Sequence, residues 1–294
     1  MKYDVTFVGH MCFDEISYPG KEPAVAPGSA VLCGAMVAAR IGKKVAAVSK
    51  MAEKDASILQ PMTDVGVENY LIPAEETTWS QVIHESDNMD ERRLILSKSA
   101  GIIKIDQVPE LESQRVHLAG ISDTEFDLDL IKGLKTRGYS LSTDMQSFVR
   151  QVDPETKEIA FADVADKKEI VSYMDRVKLD VVEAKILTGQ DDLEAAAKIV
   201  SSWGCPEVVI TRSDGVLAHV DGKTYYEKFS NNSVRGRTGR GDTTFAAYMC
   251  RRLDHNPADS LKFAAALVSI KMENIGPFAG SLEDVLKRIE THHS

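Results

Sequence analysis

Cysteine is scarce in this 294-residue chain, with four residues at positions 12, 33, 205 and 250. None falls in a C-x-x-C pair, which excludes a zinc knuckle and a disulfide framework and leaves reduced, buried thiols as the plain reading. The seven histidines are scattered without H-E-x-x-H or related spacing, so any metal is expected on oxygen ligands. Long apolar runs are missing as well. Even Ala30 to Ala39 is interrupted by Gly34 and stopped by Arg40, short of the roughly 18 to 20 residues that a membrane-spanning helix needs. Positive charge is in deficit: 35 Lys plus Arg stand against 45 Asp plus Glu, a net −10. General affinity for DNA or RNA depends on a basic surface and is excluded on that ground, although a local anion site stays open. The opening Met1-Lys2-Tyr3-Asp4 puts an acid ahead of a short apolar stretch, unlike a secretory signal. The expectation is a cytoplasmic protein with neither nucleic-acid nor membrane partners.

What is present is an ordinary globular composition, 43% hydrophobic and 27% charged, which sets aside disordered, collagenous and coiled-coil classes. Val5 to Val8 closed by Gly9 reads as a buried strand, and Val45 to Val48 as another. Between them a Pro-rich stretch leads to Ser29, a cap for a small-residue helix that Gly42 ends. Residues 55–65 read as helical up to Gly66. Trp79 to His84 and Arg92 to Leu96 are strands joined by a polar loop, Glu85 to Glu91. From about residue 115 strands at 116–118, 139–143, 176–179 and 207–211 alternate with helices at 125–137, 166–173 and 191–202. A hairpin turns at Asp221-Gly222, and helices follow at 242–253, 257–273 and 281–290. Alternation of this kind predicts a mostly parallel sheet covered on both faces. No repeat or linker divides the chain, so one α/β domain over 1–294 is expected, with a small β lid from residues 15–27 and 79–96.

The most informative stretch is Arg235-Gly236-Arg237-Thr238-Gly239-Arg240-Gly241-Asp242-Thr243-Thr244-Phe245. Closely spaced glycines let main-chain N–H groups approach an anion, and a helix N-terminus adds a favourable dipole. A carboxylate beside such a cradle serves either as a helix cap or as a base that takes a proton from an attacking hydroxyl. Both uses of Asp242 stay open at this level. The Arg-Gly-Asp tripeptide at 240–242 points to adhesion only in an extracellular, disulfide-bearing context, which this chain lacks. G-x-G-x-x-G and G-x-x-x-x-G-K-[ST] phosphate motifs are both absent.

Thr238-Gly239-Arg240-Gly241-Asp242-Thr243 resembles the T-G-A-G-D signature of the ribokinase-like (PfkB) carbohydrate kinases. Other segments fall in that family's order over nearly the whole chain: Val8-Gly9 followed by Asp14, Pro27-Gly28-Ser29-Ala30, Gly66-Val67, Asp180-Val181-Val182-Glu183 ahead of Leu187-Thr188-Gly189, and Val209-Ile210-Thr211 with Gly215. The resemblance implies a three-layer α/β/α fold with a small β lid, and an ATP-dependent kinase that uses Mg²⁺. It makes Asp242 the catalytic base and puts the N–H groups of Gly239, Arg240 and Gly241 around the transferred phosphoryl group, consistent with chemistry that is mainly positioning and charge stabilisation. It places Asp14, Gly28 and Ser29 at the substrate, Thr211, Arg212, Gly215 and Thr238 at the nucleotide, and Glu183 with Asp180 at Mg²⁺. Solvated charges at a helix start are the alternative use of those two acids.

Departures from the family pattern carry information. Leu32 stands where the family has an asparagine that contacts the sugar. Gly236 replaces the aspartate at the head of the signature run, a residue tied to a monovalent-cation site in some members. Arg240 replaces a small residue, and its guanidinium is expected to substitute for that cation or to contact phosphate. Asp144-Met145-Gln146-Ser147-Phe148-Val149-Arg150 resembles the D-x-Q-x-x-x-R segment of the myo-inositol kinase branch, which adds Gln146 and Arg150 to the substrate contacts. Residues 272–278 are similar to that branch too. The expected acceptor is a small sugar, cyclitol or nucleoside, with a cyclitol leading. The losses at Leu32 and Gly236 keep a second function in view, a non-catalytic relative that senses a small ligand. Lids of this family often pair between subunits, so a homodimer is expected, with Trp79 either at that interface or in the lid core. His84 is expected at the surface.

Overall fold

The computed structural model describes residues 2–85 and 92–292. The strands are β1 Val5–His10, β2 Cys12–Ser17, β3 Ala24–Gly28, β4 Val45–Ala52, β5 Glu68–Ala74, β6 Thr78–His84, β7 Arg92–Lys98 and β8 Arg115–Leu118. They continue with β9 Ser140–Asp144, β10 Arg150–Val152, β11 Ile159–Phe161, β12 Arg176–Asp180, β13 Glu207–Thr211, β14 Gly215–Val220 and β15 Lys223–Lys228. The helices are α1 Ala30–Arg40, α2 Gln60–Asp64, α3 Leu128–Thr136, α4 Gln146–Val149, α5 Lys167–Ser172, α6 Val181–Thr188, α7 Leu193–Ser202, α8 Arg240–Arg251, α9 Pro257–Met272 and α10 Leu282–His292.

Nine strands form the large sheet in the order β15-β14-β13-β12-β9-β8-β1-β4-β5. Pairing is parallel from β5 to β13, and the last two strands return antiparallel through the hairpin expected at Asp221-Gly222. Successive side chains of a strand point to opposite faces, and β1 shows the result. Val5 and Phe7 enter a core with α1, α8 and α9, whereas Val8 enters the opposite core with α3, α5, α6 and α7. All of β1 is buried, as a central parallel strand covered on both faces should be. This is the three-layer α/β/α architecture expected.

The small sheet runs β3-β2-β6-β7. It falls on the segments 15–27 and 79–96 read as a small accessory sheet, with β2 beginning at Cys12 rather than near residue 15. The polar loop placed at Glu85 to Glu91 falls almost wholly outside the described residues. Its outer strand β7 is flanked by the β10–β11 hairpin, through the Ile95–Glu158 bridge, a bond from Leu96 N–H to Lys157 O at 2.9 Å and an Arg93–Glu158 ion pair.

Several elements differ from the sequence reading. The helix placed at 125–137 starts at Leu128, because the Asp127 side chain accepts the Leu130 N–H at 2.9 Å and caps it there. Glu125 stays outside and buried, accepting the His10 N–H at 2.8 Å and the Ile121 N–H at 2.5 Å. Strand β5, with Pro73 near its end, and the β10–β11 hairpin had no expected counterpart. His84 is 6% exposed and stacks on Tyr18 with ring centroids 4.9 Å apart; it is a packing residue, not a surface one. Trp79 lies against Phe13 at 5.2 Å and donates its indole N–H to Glu15 at 2.8 Å, contacts internal to the small sheet.

Candidate active site

Strand order reverses at the β1–β8 neighbours, since β4 and β5 lie on one side of them and β9, β12 and β13 on the other. In an open α/β sheet the crevice beyond the carboxyl ends at such a reversal is where ligands bind. Asp144, Asp180 and Thr211 are the last residues of β9, β12 and β13. The N-terminus of α8 meets the same edge, with Gly239 as its cap at φ 73° and Asp242 in its first turn. Asp242 is therefore not the cap residue. A glycine is required at 239 twice over, by that left-handed φ and because a Cβ would stand 2.5 Å from Cys33 Sγ.

Asp242 is held from the side by Gln146, whose amide donates to Asp242 Oδ1 at 3.3 Å and to Gly120 O at 2.9 Å. The amide thus ties the segment after β8, α4 and α8 together at one carboxylate. Asp14, on β2, shares the neighbourhood. Burial pushes its pKa up, the Cys12 thiol bonded to it pulls down, the Asp242 charge pushes up and the Arg150 charge pulls down. Gly28, across from this strand, is a close-approach glycine, since a Cβ there would sit 2.0 Å from Asp14 Oδ2. Arg150 opens β10 with its Nε buried and without a hydrogen-bond partner among the described residues, and its guanidinium lies 5.7 Å over the Phe161 ring. Ser29 has a structural post: its hydroxyl caps α1 by accepting the Leu32 N–H at 2.9 Å and donates to Met11 Sδ at 3.3 Å. Leu32 itself packs into the core of that face.

Beneath the glycine loop is a buried charge cluster that includes residues with no expected role. Lys178, 3% exposed, places Nζ 2.8 Å from Asp144 Oδ2 and 3.7 Å from Glu183 Oε2. A Cβ on Gly241 would lie 3.0 Å from the same Nζ, so this ammonium adjoins the loop. Burial works against the Lys178 charge, but Asp144, Glu183, Asp180 and Asp242 outweigh it and hold its pKa above the ordinary value. Burial raises Asp144 and Glu183 in turn, with Lys178 opposing both shifts. Little in the sequence signals it, since Lys178 alternates with Val177 and Leu179 in a strand charged at both ends.

Asp180 and Glu183 form a reciprocal capping box on α6, with bonds of 2.7 and 2.9 Å. Glu183 is fully buried, not a solvated charge, and its Oε1 has no hydrogen-bond partner among the described residues. Among the described residues no group of three or more His, Cys, Asp or Glu is arranged to hold a metal ion. One free carboxylate oxygen with a second acid beside it suits Mg²⁺, which keeps several waters and takes its remaining ligands from substrate phosphates.

At the loop, the Arg240 N–H donates to Arg237 O at 3.2 Å and closes a turn, whereas the Gly239 and Gly241 N–H groups have no main-chain acceptor among the described residues. Of the three N–H groups named from the sequence, two are thus without a main-chain acceptor among the described residues. The Thr211 hydroxyl donates to Leu179 O at 3.4 Å. Arg212 is paired with Asp214, Nε to Oδ1 2.9 Å, and stacks over Tyr226. Gly215 starts β14, where a Cβ would strike Glu227 O at 2.6 Å; its small size serves the hairpin. Thr238 is exposed, and its carbonyl, together with that of Gly236, accepts from Lys271. The group that meets these two carbonyls is the Lys271 ammonium, a residue to which the sequence reading gave no role.

The pfkB family carbohydrate kinase model matches residues 1–284, and the chain belongs to that family. Its fold superimposes with a TM-score of 0.87 on a pyrophosphate-dependent kinase in the ribokinase family solved with a pyrophosphate analog and myo-inositol, 31% identical over 96% of this chain and 99% of that one. The ribokinase of Arabidopsis thaliana, solved with ribose and ATP, shares the fold at 18% identity and a TM-score of 0.78, over 99% of both chains. A curated cytidine kinase of Thermococcus kodakarensis is 27% identical over 223 residues, 74% of this chain and 76% of that protein. The chain is accordingly a carbohydrate or nucleoside kinase of the ribokinase family, whose members include ATP- and Mg²⁺-bound structures. The ligand-sensing alternative has no support from these relatives. No helix among the described residues is long and apolar enough to cross a membrane.

Proposed function

We propose that this kinase, one ribokinase-like domain over residues 1–294, phosphorylates a hydroxyl of a small polyol, with a cyclitol favoured over other sugars and nucleosides. The observation that carries this reading is the Gln146–Asp242 bond of 3.3 Å, which joins the D-x-Q-x-x-x-R segment to the base. Asp242 accepts the proton of the attacking hydroxyl, and Gln146 fixes the carboxylate so that one lone pair faces the acceptor. Asp14 and Arg150 hold neighbouring hydroxyls, flanked by the main chain at Gly28 and Ser29. The N–H groups of Gly239 and Gly241 take the charge that develops on the phosphoryl oxygens, with the Lys178 ammonium close behind them. Thr211, Arg212, Gly215 and Thr238 line the donor. ATP is the phosphoryl donor, and Glu183 with Asp180 would hold Mg²⁺, which would supply neutralising charge at the donor phosphates. The small sheet acts as a lid that excludes water. Two copies pair through it along β3, the edge left when the β10–β11 hairpin flanks β7.

A second donor is favoured by a specific finding: the 31%-identical structures are those of a pyrophosphate-dependent kinase. The deciding experiment measures Mg-ATP and Mg-pyrophosphate consumption against pentoses, hexoses, cyclitols and nucleosides, with Asp242→Asn beside the wild type. A cyclitol-dependent signal lost in the variant supports the reading, and the better donor settles the choice between the two. A signal restricted to nucleosides, or kept by Asp242→Asn, overturns it.

A further inference from the structure

Lys271 sits in the last turn of α9 and is 2% exposed. Its ammonium donates to Gly236 O at 2.6 Å and to Thr238 O; both acceptors are neutral main-chain carbonyls. The same stretch is gripped by its neighbours. The Arg235 and Gly236 N–H groups donate to Met272 O at 2.8 and 3.0 Å, and a Cβ at 236 would lie 1.8 Å from Asn274 O. Residues 271–274 therefore fix the chain at 235–238, which runs straight into Gly239 and Asp242.

Carbonyl dipoles that converge on one point repel each other unless a cation lies between them, and a buried ammonium is costly unless such acceptors surround it. Each requirement answers the other. We propose that Lys271 is a built-in cation that positions the Gly239–Gly241 loop, so that this enzyme needs no monovalent metal ion there. The inference rests on the reading of that loop as the phosphoryl cradle. The absence of a carboxylate at Gly236 agrees with it, since a tethered ammonium already supplies the charge and the glycine makes room for Asn274 O. Burial pushes the Lys271 pKa below its ordinary value, and Arg240 adds to that, while the Asp242 charge opposes it; the two carbonyls are the acceptors that offset the cost of the buried ammonium.

The test is steady-state kinetics at constant ionic strength with tetramethylammonium, K⁺ or NH₄⁺ as the only monovalent cation. Wild-type turnover is expected to differ by less than about twofold among them. Lys271→Met is expected to lose about a hundredfold in kcat with little change in acceptor KM, the signature of a displaced reacting geometry. Lys271→Ala, which leaves space, should show the same loss in tetramethylammonium and recover about tenfold or more with K⁺, NH₄⁺ or methylammonium. Strong stimulation of the wild type by K⁺, full turnover of either variant without a small cation, or failure of every cation to rescue folded Lys271→Ala would each overturn the proposal. Should both variants fail to fold, the wild-type response decides alone: indifference supports the built-in cation and stimulation removes it. Asp242→Asn, run in parallel, separates the two readings. Undiminished turnover there dismisses the cradle itself, whereas a dead Asp242→Asn beside a K⁺-dependent wild type dismisses only the role of Lys271.

Discussion

At the end of the site formed by β12, α6 and the glycine loop, the charged groups are buried in the large sheet; at the end formed by β2, β3 and the β10–β11 hairpin, they sit on short, partly exposed strands. Lys178, Asp144 and Glu183 are enclosed and mutually paired. Asp14 and Arg150 are only partly buried, and Arg150 has an unpaired Nε. The first arrangement is expensive to disturb, because removing one partner leaves an uncompensated buried charge. The second tolerates change, because few contacts hold each side chain. A family can therefore keep one phosphoryl-transfer machine and vary the acceptor, with the difference written mainly into the thinner elements.

The largest effect should come where the two ends meet. Asp242→Asn is expected to lower kcat by about a hundredfold or more while leaving the melting temperature within a few degrees of wild type, since the amide keeps the shape and loses the basicity. Scanning calorimetry beside turnover checks both halves, and a large loss of stability would show that Asp242 belongs to the structural charge network. Next comes Lys178→Met, which strands Asp144 and Glu183 together. Urea unfolding should show a loss of about 3 kcal/mol or more; adding Glu183→Gln to that variant should restore part of it. A Lys178→Met protein as stable as wild type would break the contrast between the two ends. Asp14→Asn tests the thinner end: acceptor KM should rise about tenfold or more with stability nearly unchanged. Equal losses in kcat and stability would put Asp14 among the structural charges instead.

How much of this was legible in the sequence follows the same division. The parallel strands and their helices could be read from apolar runs and glycine stops because both faces of the sheet are covered, so β1, β4 and β13 carry little else. Strand β5 escaped because it is an edge, half exposed and carrying Pro73, which edges tolerate and centres do not. The α3 start was missed by three residues because Glu125-Phe126 reads as helix until Asp127 is recognised as the cap. At the proposed site, Asp242, Gln146 and Glu183 could be named from the sequence through the resemblance to the family's motifs. Lys178 and Lys271 were not, since a lone lysine ordinarily means solvent. Only tertiary pairing, with Asp144 in one case and with two carbonyls in the other, makes a buried ammonium tolerable. For the same reason the cation role fell first to Arg240, the charge that stood inside the motif.

The most gradual effect is a pH dependence of stability at the buried end. Burial, then Asp144 and Asp180, raise the Glu183 pKa to about 8 against the opposing charges of Lys178 and Arg150, whereas an unfolded glutamate titrates near 4.3. Between those values the native protein holds a proton that the unfolded chain has released, so stability falls as pH rises through the window, by at most about 1.4 kcal/mol per pH unit from this group. Asp144, also raised by burial, acts in the same direction over a narrower range. Denaturant melts from pH 5 to pH 8 should therefore show a declining midpoint in the wild type and a flatter profile in Glu183→Gln, which has no proton to lose. Mg²⁺ should stabilise the wild type more at pH 8 than at pH 5, because it competes with that proton for the carboxylate. A midpoint that rises with pH, or a Glu183→Gln profile as steep as wild type, would mean that this carboxylate is ionised in the resting protein and shares the looser character of Asp14 at the other end.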